Sequence, residues 1–129
     1  MAEMGAAPDY LGLQHVSVPS TDLDRSEFFY CEQLGFHRIP RPPFPVEGIW
    51  LEAGDGLSVH ITRSPNSVPP LAHHHFAIEV SDLQSALEHL TALGIAYERA
   101  EYVVGAGKQA YVRDPDGNRI EFIERDKAV

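Results

Sequence analysis

Apolar and polar residues alternate along Leu13 to Val18, with Val16 and Val18 on one side and His15 and Ser17 on the other. A period of two marks a strand with one buried face. Pro19-Ser20-Thr21-Asp22 supplies turn and N-cap chemistry, so a helix is expected from there to about Leu34, stopped by Gly35. Phe36 to Arg41 reads as a strand ended by Pro42-Pro43. Gly48 to Ala53 and Leu57 to Thr62 read as strands joined at Gly54-Asp55-Gly56. Further on, His75 to Val80 forms a strand and Ser81-Asp82-Leu83-Gln84 has capping-box form. Leu83, Ala86, Leu87, Leu90 and Leu93 then recur at helical spacing up to Gly94. Ile95 to Arg99 is a strand, and Gln109 to Arg113 and Asn118 to Glu124 form a hairpin across Asp114-Pro115-Asp116-Gly117.

Each half therefore reads β-α-β-β-β, and the halves match residue by residue. His15-Val16-Ser17-Val18 with Asp22-Leu23 is answered by His75-Phe76-Ala77-Ile78 with Asp82-Leu83. Leu34-Gly35-Phe36 is answered by Leu93-Gly94-Ile95, and Asp55-Gly56 with His60 by Asp116-Gly117 with Glu121. The offset stays between 59 and 61 residues throughout. A unit this short cannot easily bury its own apolar face, so the halves are expected to pack on each other. The expected organisation is a flexible arm at 1–10, one domain at 11–124 and a tail at 125–129. Within the domain, module one spans 11–62, a Pro-rich linker 63–72 and module two 73–124.

Strand alternation sorts the polar residues. Val16 and Val18 oppose His15 and Ser17; Leu57, Val59 and Ile61 oppose Ser58, His60 and Thr62. Phe76, Ile78 and Val80 oppose His75 and Ala77, while Ile120 and Phe122 oppose Arg119, Glu121 and Ile123. The aliphatic faces suit a helix layer, leaving His15, His60, His75 and Glu121 on the other side. Four such groups converging there would be costly to bury unless something satisfies them, and a divalent metal would satisfy all four. His74 is expected on the helix side, His73 before the strand, and His37 and His89 at the surface.

Composition narrows the function classes. Ten Lys plus Arg against nineteen Asp plus Glu give a net charge of −9, which argues against nucleic-acid binding as the main task. The lone Cys31 excludes an intrachain disulfide, fits a reducing, cytoplasmic compartment and reads as a packing residue. No apolar run approaches the roughly 20 residues of a membrane span, and the first nine residues lack signal-peptide form.

Taken together, these motifs resemble the vicinal oxygen chelate superfamily, which includes glyoxalase I, extradiol dioxygenases, fosfomycin thiol transferases and bleomycin-resistance proteins. The marks are Leu13-Gln14-His15-Val16, Asp22-Leu23-Asp24-Arg25-Ser26 leading to Phe29-Tyr30, Leu34-Gly35-Phe36, His75-Phe76-Ala77-Ile78-Glu79-Val80, and Asp114-Pro115-Asp116-Gly117-Asn118-Arg119-Ile120-Glu121. The resemblance implies an α+β fold of two tandem βαβββ modules, a cupped mixed sheet around a metal site with the helices outside. It places the metal ligands on His15, His60, His75 and Glu121, holding one divalent transition metal (Zn, Ni, Co, Fe or Mn). Homodimers are common in the family, some with a metal site shared between subunits.

One departure stands out. Glyoxalase I enzymes usually carry a glutamate at the position of His60, and a metal-bound imidazole has no lone pair left for base catalysis. Glu121 then becomes both ligand and candidate base, with bound hydroxide as the alternative. The leading expectation is a glyoxalase I-like lyase, isomerase or epimerase that polarises a small vicinal-oxygen substrate and stabilises an enediolate. Ser17, Phe44, Trp50 and Tyr111 are candidate pocket residues. The alternatives are a three-ligand enzyme, either an extradiol dioxygenase or a fosfomycin-type thiol transferase, and a non-catalytic binding protein like those of bleomycin resistance.

Overall fold

The computed structural model of the chain describes residues 6–54, 56–66 and 73–127. Asp55 of the expected hairpin turn, residues 67–72 of the expected linker and the extreme ends of arm and tail lie outside the described residues. The first half runs β1 (His15–Ser20), α1 (Leu23–Glu27), a π-helical stretch (Phe28–Gln33), β2 (His37–Ile39), β3 (Gly48–Glu52) and β4 (Ser58–Arg63). The second runs β5 (Phe76–Glu79), α2 (Leu83–Ala92), β6 (Tyr97–Arg99), β7 (Lys108–Arg113) and β8 (Arg119–Glu124). The βαβββ order repeats, as the sequence periodicity requires.

Each half builds a four-stranded mixed sheet, ordered β1-β4-β3-β2 in the first and β5-β8-β7-β6 in the second. β1 runs parallel to β4 and β5 to β8; the remaining pairs are antiparallel. The fold is α+β with helices on one side of each sheet, α1 against β3 and β4, α2 against β7 and β8. Among the described residues no helix is long and apolar enough to cross a membrane.

Local chemistry sets the element boundaries. Asp22 and Asp82 cap the helices, each carboxylate accepting from an N–H three residues on, Arg25 and Ser85, at 3.1 Å. α2 buries Leu83, Leu87 and Leu90 along one stripe. The first helix widens into π geometry, Leu34 N–H bonding the Phe29 carbonyl five residues back at 2.9 Å. β2 stops before Pro40, which has no N–H for the ladder. β6 starts at Tyr97 rather than Ile95, because the Ile95 N–H bonds the Leu90 carbonyl at the end of α2. β5 starts at Phe76, so His75 precedes it. His74 does not turn toward the helix layer as alternation suggested; it lies exposed, ahead of the strand.

The turn between β7 and β8 joins the halves. Asp116 Oδ1 accepts from the Thr21 hydroxyl at 2.6 Å and the Thr21 N–H at 3.1 Å, with Arg25 Nη2 at 3.4 Å. Asp114, buried, accepts the hydroxyl of fully buried Tyr30 at 2.7 Å, and Asn118 Nδ2 donates to the Pro19 carbonyl at 3.0 Å. Within the turn, Asp114 Oδ1 accepts from the N–H groups of Asp116 and Asn118, and Gly117 takes a left-handed φ of 88° that suits glycine. An acidic turn of module two is thereby locked onto the start of module one's helix. Burial alone would raise the Asp116 carboxyl, but the Thr21 donors and Arg25 outweigh it and hold it below its ordinary 3.8.

Two stability predictions follow from this junction. Tyr30→Phe strands a buried carboxylate lone pair and should lower the free energy of unfolding by about 1.5–3 kcal/mol in urea titration. An unchanged urea midpoint would remove the hydroxyl from the account. The folded-state carboxyl of Asp116 is depressed, so its contribution is complete above the ordinary carboxylate pKa and is lost as pH falls from there through the lower folded-state value. Asp116→Asn should therefore flatten the acid limb of the stability–pH curve; an unaltered limb would place the acid sensitivity elsewhere.

Candidate metal centre

β1 and β4 lie side by side with Ser17 opposite His60 and His15 opposite Ser58. The aliphatic partners Val18, Val59 and Ile61 are buried, which leaves the histidines on the face away from the helix. The His15 and His60 rings stack with centroids 3.9 Å apart, and Trp50, cross-strand from His60, stacks on its other side at 4.0 Å. Phe44 extends the array, 5.9 Å from Trp50. His15 Nδ1 lies 2.7 Å from Gln14 Oε1, an acceptor, so this nitrogen carries the proton and Nε2 keeps its lone pair. Neither ring nitrogen of His60 has a hydrogen bond among the described residues. Burial, then the His15 and Arg41 charges, pushes the His60 pKa below its ordinary 6.5, leaving it neutral at pH 7. Beside this pair, the Ser58 hydroxyl is buried and has no hydrogen-bond partner among the described residues.

The second pair sits in module two. His75 Nδ1 donates to the His73 carbonyl at 2.8 Å, and His73 takes a left-handed φ of 70° at that point. Nε2 of His75 therefore faces Glu121 Oε1, 3.2 Å away, and the Glu121 side chain is buried. In the neutral ring a lone pair confronts a carboxylate oxygen, an arrangement that needs a proton or a cation between the two. Two ligands on one metal at about 2.1 Å each stand about 3.0–3.4 Å apart for right-angled to tetrahedral geometry. The pair has that spacing. Tyr111, cross-strand from Glu121, meets the His75 ring edge-on at 5.7 Å. Burial, then the Glu121 carboxylate, raises the Tyr111 phenol and keeps it a donor.

The residues expected from the sequence are thus brought together two by two, His15 with His60 and His75 with Glu121. Among the described residues no three His, Cys, Asp or Glu side chains form one cluster suited to a metal. The donor chemistry nevertheless fits a divalent ion: ring nitrogens with free lone pairs, a buried carboxylate and an unsatisfied hydroxyl. Phe44, Trp50 and Ser17 accompany the first pair and Tyr111 the second. Sequence reasoning missed the orienting acceptors, Gln14 Oε1 and the His73 carbonyl, each of which fixes the tautomer of the imidazole it meets. Cys31 is half-buried against the core and burial pushes its thiol up, in keeping with a packing residue.

Paired βαβββ modules with imidazoles and a carboxylate on the faces opposite their helices define a vicinal-oxygen-chelate architecture. The chain belongs to the Glyoxalase/Bleomycin resistance protein/Dioxygenase superfamily, whose family model matches residues 12–122. A protein of Arabidopsis thaliana named glyoxylase I 4 is 32% identical over 137 residues, spanning 98% of this chain and 78% of its own. A lactoylglutathione lyase of Haemophilus influenzae is 30% identical over 121 residues, 85% of this chain and 90% of that one. A glyoxalase family protein from Bacillus anthracis superposes with a TM-score of 0.83 at 28% identity, over 93% of this chain and 100% of that one. The fosfomycin resistance protein FosX from Listeria monocytogenes, solved as a mutant with Mn(II), shares the fold at a TM-score of 0.77 and 19% identity, over 92% and 95% of the chains.

Because burial is the largest cause of the low His60 pKa, opening the stack should reverse it. In Trp50→Ala the His60 ring should titrate nearer 6.5 in an NMR pH series on metal-free protein. A His60 titration that does not move would show that the indole is not what shields it.

Proposed function

We propose that this protein is a divalent-metal-dependent enzyme of glyoxalase I type, isomerising a small substrate with oxygens on adjacent carbons. The observation that carries the reading is the His75–Glu121 pair, set at metal-ligand spacing with the imidazole tautomer fixed from behind. His15 and His60 complete the ligand set. The names of the two sequence relatives, glyoxylase I and lactoylglutathione lyase, support the same class of reaction. A divalent ion held by His15, His60, His75 and Glu121 would supply Lewis-acid polarisation of the substrate carbonyl.

The protein's own groups do the rest. The buried Glu121 carboxylate takes the proton from the carbon next to the carbonyl and returns it to the neighbouring carbon, so no oxidant or reductant is needed. Tyr111, kept protonated, offers a donor beside that carboxylate. Phe44 and Trp50 form an aromatic wall that holds an apolar part of the substrate and excludes water from the histidine pair. Histidine in place of a second carboxylate leaves Glu121 as the one acidic group among the four proposed ligands, so proton transfer rests on it.

We further propose that the site is completed in a homodimer, His15 and His60 from one copy meeting His75 and Glu121 of the other. This reading is supported by the separation of the two pairs within one chain. It is also supported by the positions of β1 and β5, each at the open edge of its sheet. A linker between the modules gives the chain room for such an exchange.

Metal analysis and turnover of hemithioacetal substrates test the proposal. Wild type should hold one transition metal per chain, and His60→Ala should bind it more weakly. Glu121→Gln should lower kcat by about 10²–10⁴-fold, the usual share of a general base. Full metal retention in His60→Ala would make this a three-ligand site and favour oxygenase or transferase chemistry. Protein that takes up no metal would leave a non-catalytic binding module.

A further inference from the structure

β7 and β8 place two arginines directly opposite each other, Arg113 across from Arg119. Like charges in that relation weaken a sheet. Neither guanidinium has an ion-pair partner among the described residues, although acidic side chains outnumber basic ones nineteen to ten in this chain. Arg113 Nη1 donates to the Gly117 carbonyl at 2.9 Å, and Arg119 lies over the Tyr111 ring at 3.8 Å. Both line a cleft of about 440 Å³ with Tyr111 and Ile95, where Glu98 contributes the one opposing carboxylate. Tyr111 also touches the His75–Glu121 pair, so cleft and candidate metal centre share a wall.

We infer that Arg113 and Arg119 form an anion subsite that binds a carboxylate or phosphate group carried by the substrate. Two forked guanidiniums on one face match the oxygens of either group, and binding it removes the repulsion the pair otherwise suffers. The position gives a length. Arg119 and Glu121 are two residues apart on one face of β8, about 7 Å along the strand. A substrate held at Glu121 would thus carry its anionic group about that far from its vicinal oxygens. The tilt of Arg119 onto Tyr111 pre-orients the fork, because the ring face stabilises the cation without using its N–H groups. Glu98 opposes the two arginines, because its carboxylate repels an incoming anion.

The assignment of the bound anion as part of the substrate rests on the proposed function; the anion site itself does not. The test therefore uses chelator-treated full-length protein, titrated with inorganic phosphate and, in parallel, malonate at constant ionic strength. Thermal melting and calorimetry provide the readouts. Wild type should gain melting temperature with at least one probe, and the tighter of the two distinguishes a phosphate from a carboxylate ligand. Arg113→Gln/Arg119→Gln should melt higher than wild type without anion, and its affinity should fall by about tenfold or more. Glu98→Gln should bind the anion more tightly than wild type. Absence of binding to wild type, or equal binding by the double variant, would overturn the inference. Failure of metal binding alone would overturn the proposed function and leave the anion site standing.

Discussion

The contact on which the rest of this structure depends is the acidic turn Asp114–Asn118 seated on the start of the first helix. It carries two carboxylates into partly or fully buried positions, and each is matched by donors from the other module. Asp114 meets the Tyr30 hydroxyl, and Asp116 meets Thr21 and Arg25. A buried carboxylate without donors is costly, so the two modules cannot slide on each other without breaking several charge-assisted bonds at once. This junction, more than the apolar core alone, sets how the halves of the repeat face one another. Within each module the strand order itself puts β1 and β5 at a sheet edge, and the His15–His60 and His75–Glu121 pairs belong to separate modules.

The chemistry of each pair follows from alternation along the strand. Helix packing claims the aliphatic face, and what remains must present its polar groups to something else. In module one that remainder is a stack of two imidazoles and an indole; in module two it is an imidazole, a buried carboxylate and a phenol. Both imidazoles whose tautomer is fixed, His15 and His75, have their Nδ1 proton committed to a nearby acceptor, which leaves the lone pair on Nε2. Identical tautomers at repeat-equivalent positions are what a pseudo-symmetric metal centre needs.

Much of this was legible in the chain. The period-two alternation located β1, β4, β5 and β8 and assigned their faces; Asp22 and Asp82 marked the helix starts; the repeat singled out the four ligand-type residues. What escaped depends on contacts between distant residues. The π-helical stretch at Phe28–Gln33 answers packing needs that no local spacing encodes. The shortened β6 reflects capture of the Ile95 N–H by a helix carbonyl. His74 was misjudged because alternation was extended past the true start of the strand. The opposition of Arg113 and Arg119 depends on the register of a hairpin, where a slip of one residue would have sent one of them to the other face.

The most direct measurement concerns whether one site draws on two copies of the chain. Two inactive variants, His15→Ala and His75→Ala, would be mixed under conditions that allow subunits to exchange, and metal content and turnover followed. A site built from module one of one copy and module two of the other becomes intact once per mixed dimer, so both signals should reappear. If every site forms within a single chain, each mixed site still lacks a ligand and neither signal returns, which would contradict the account.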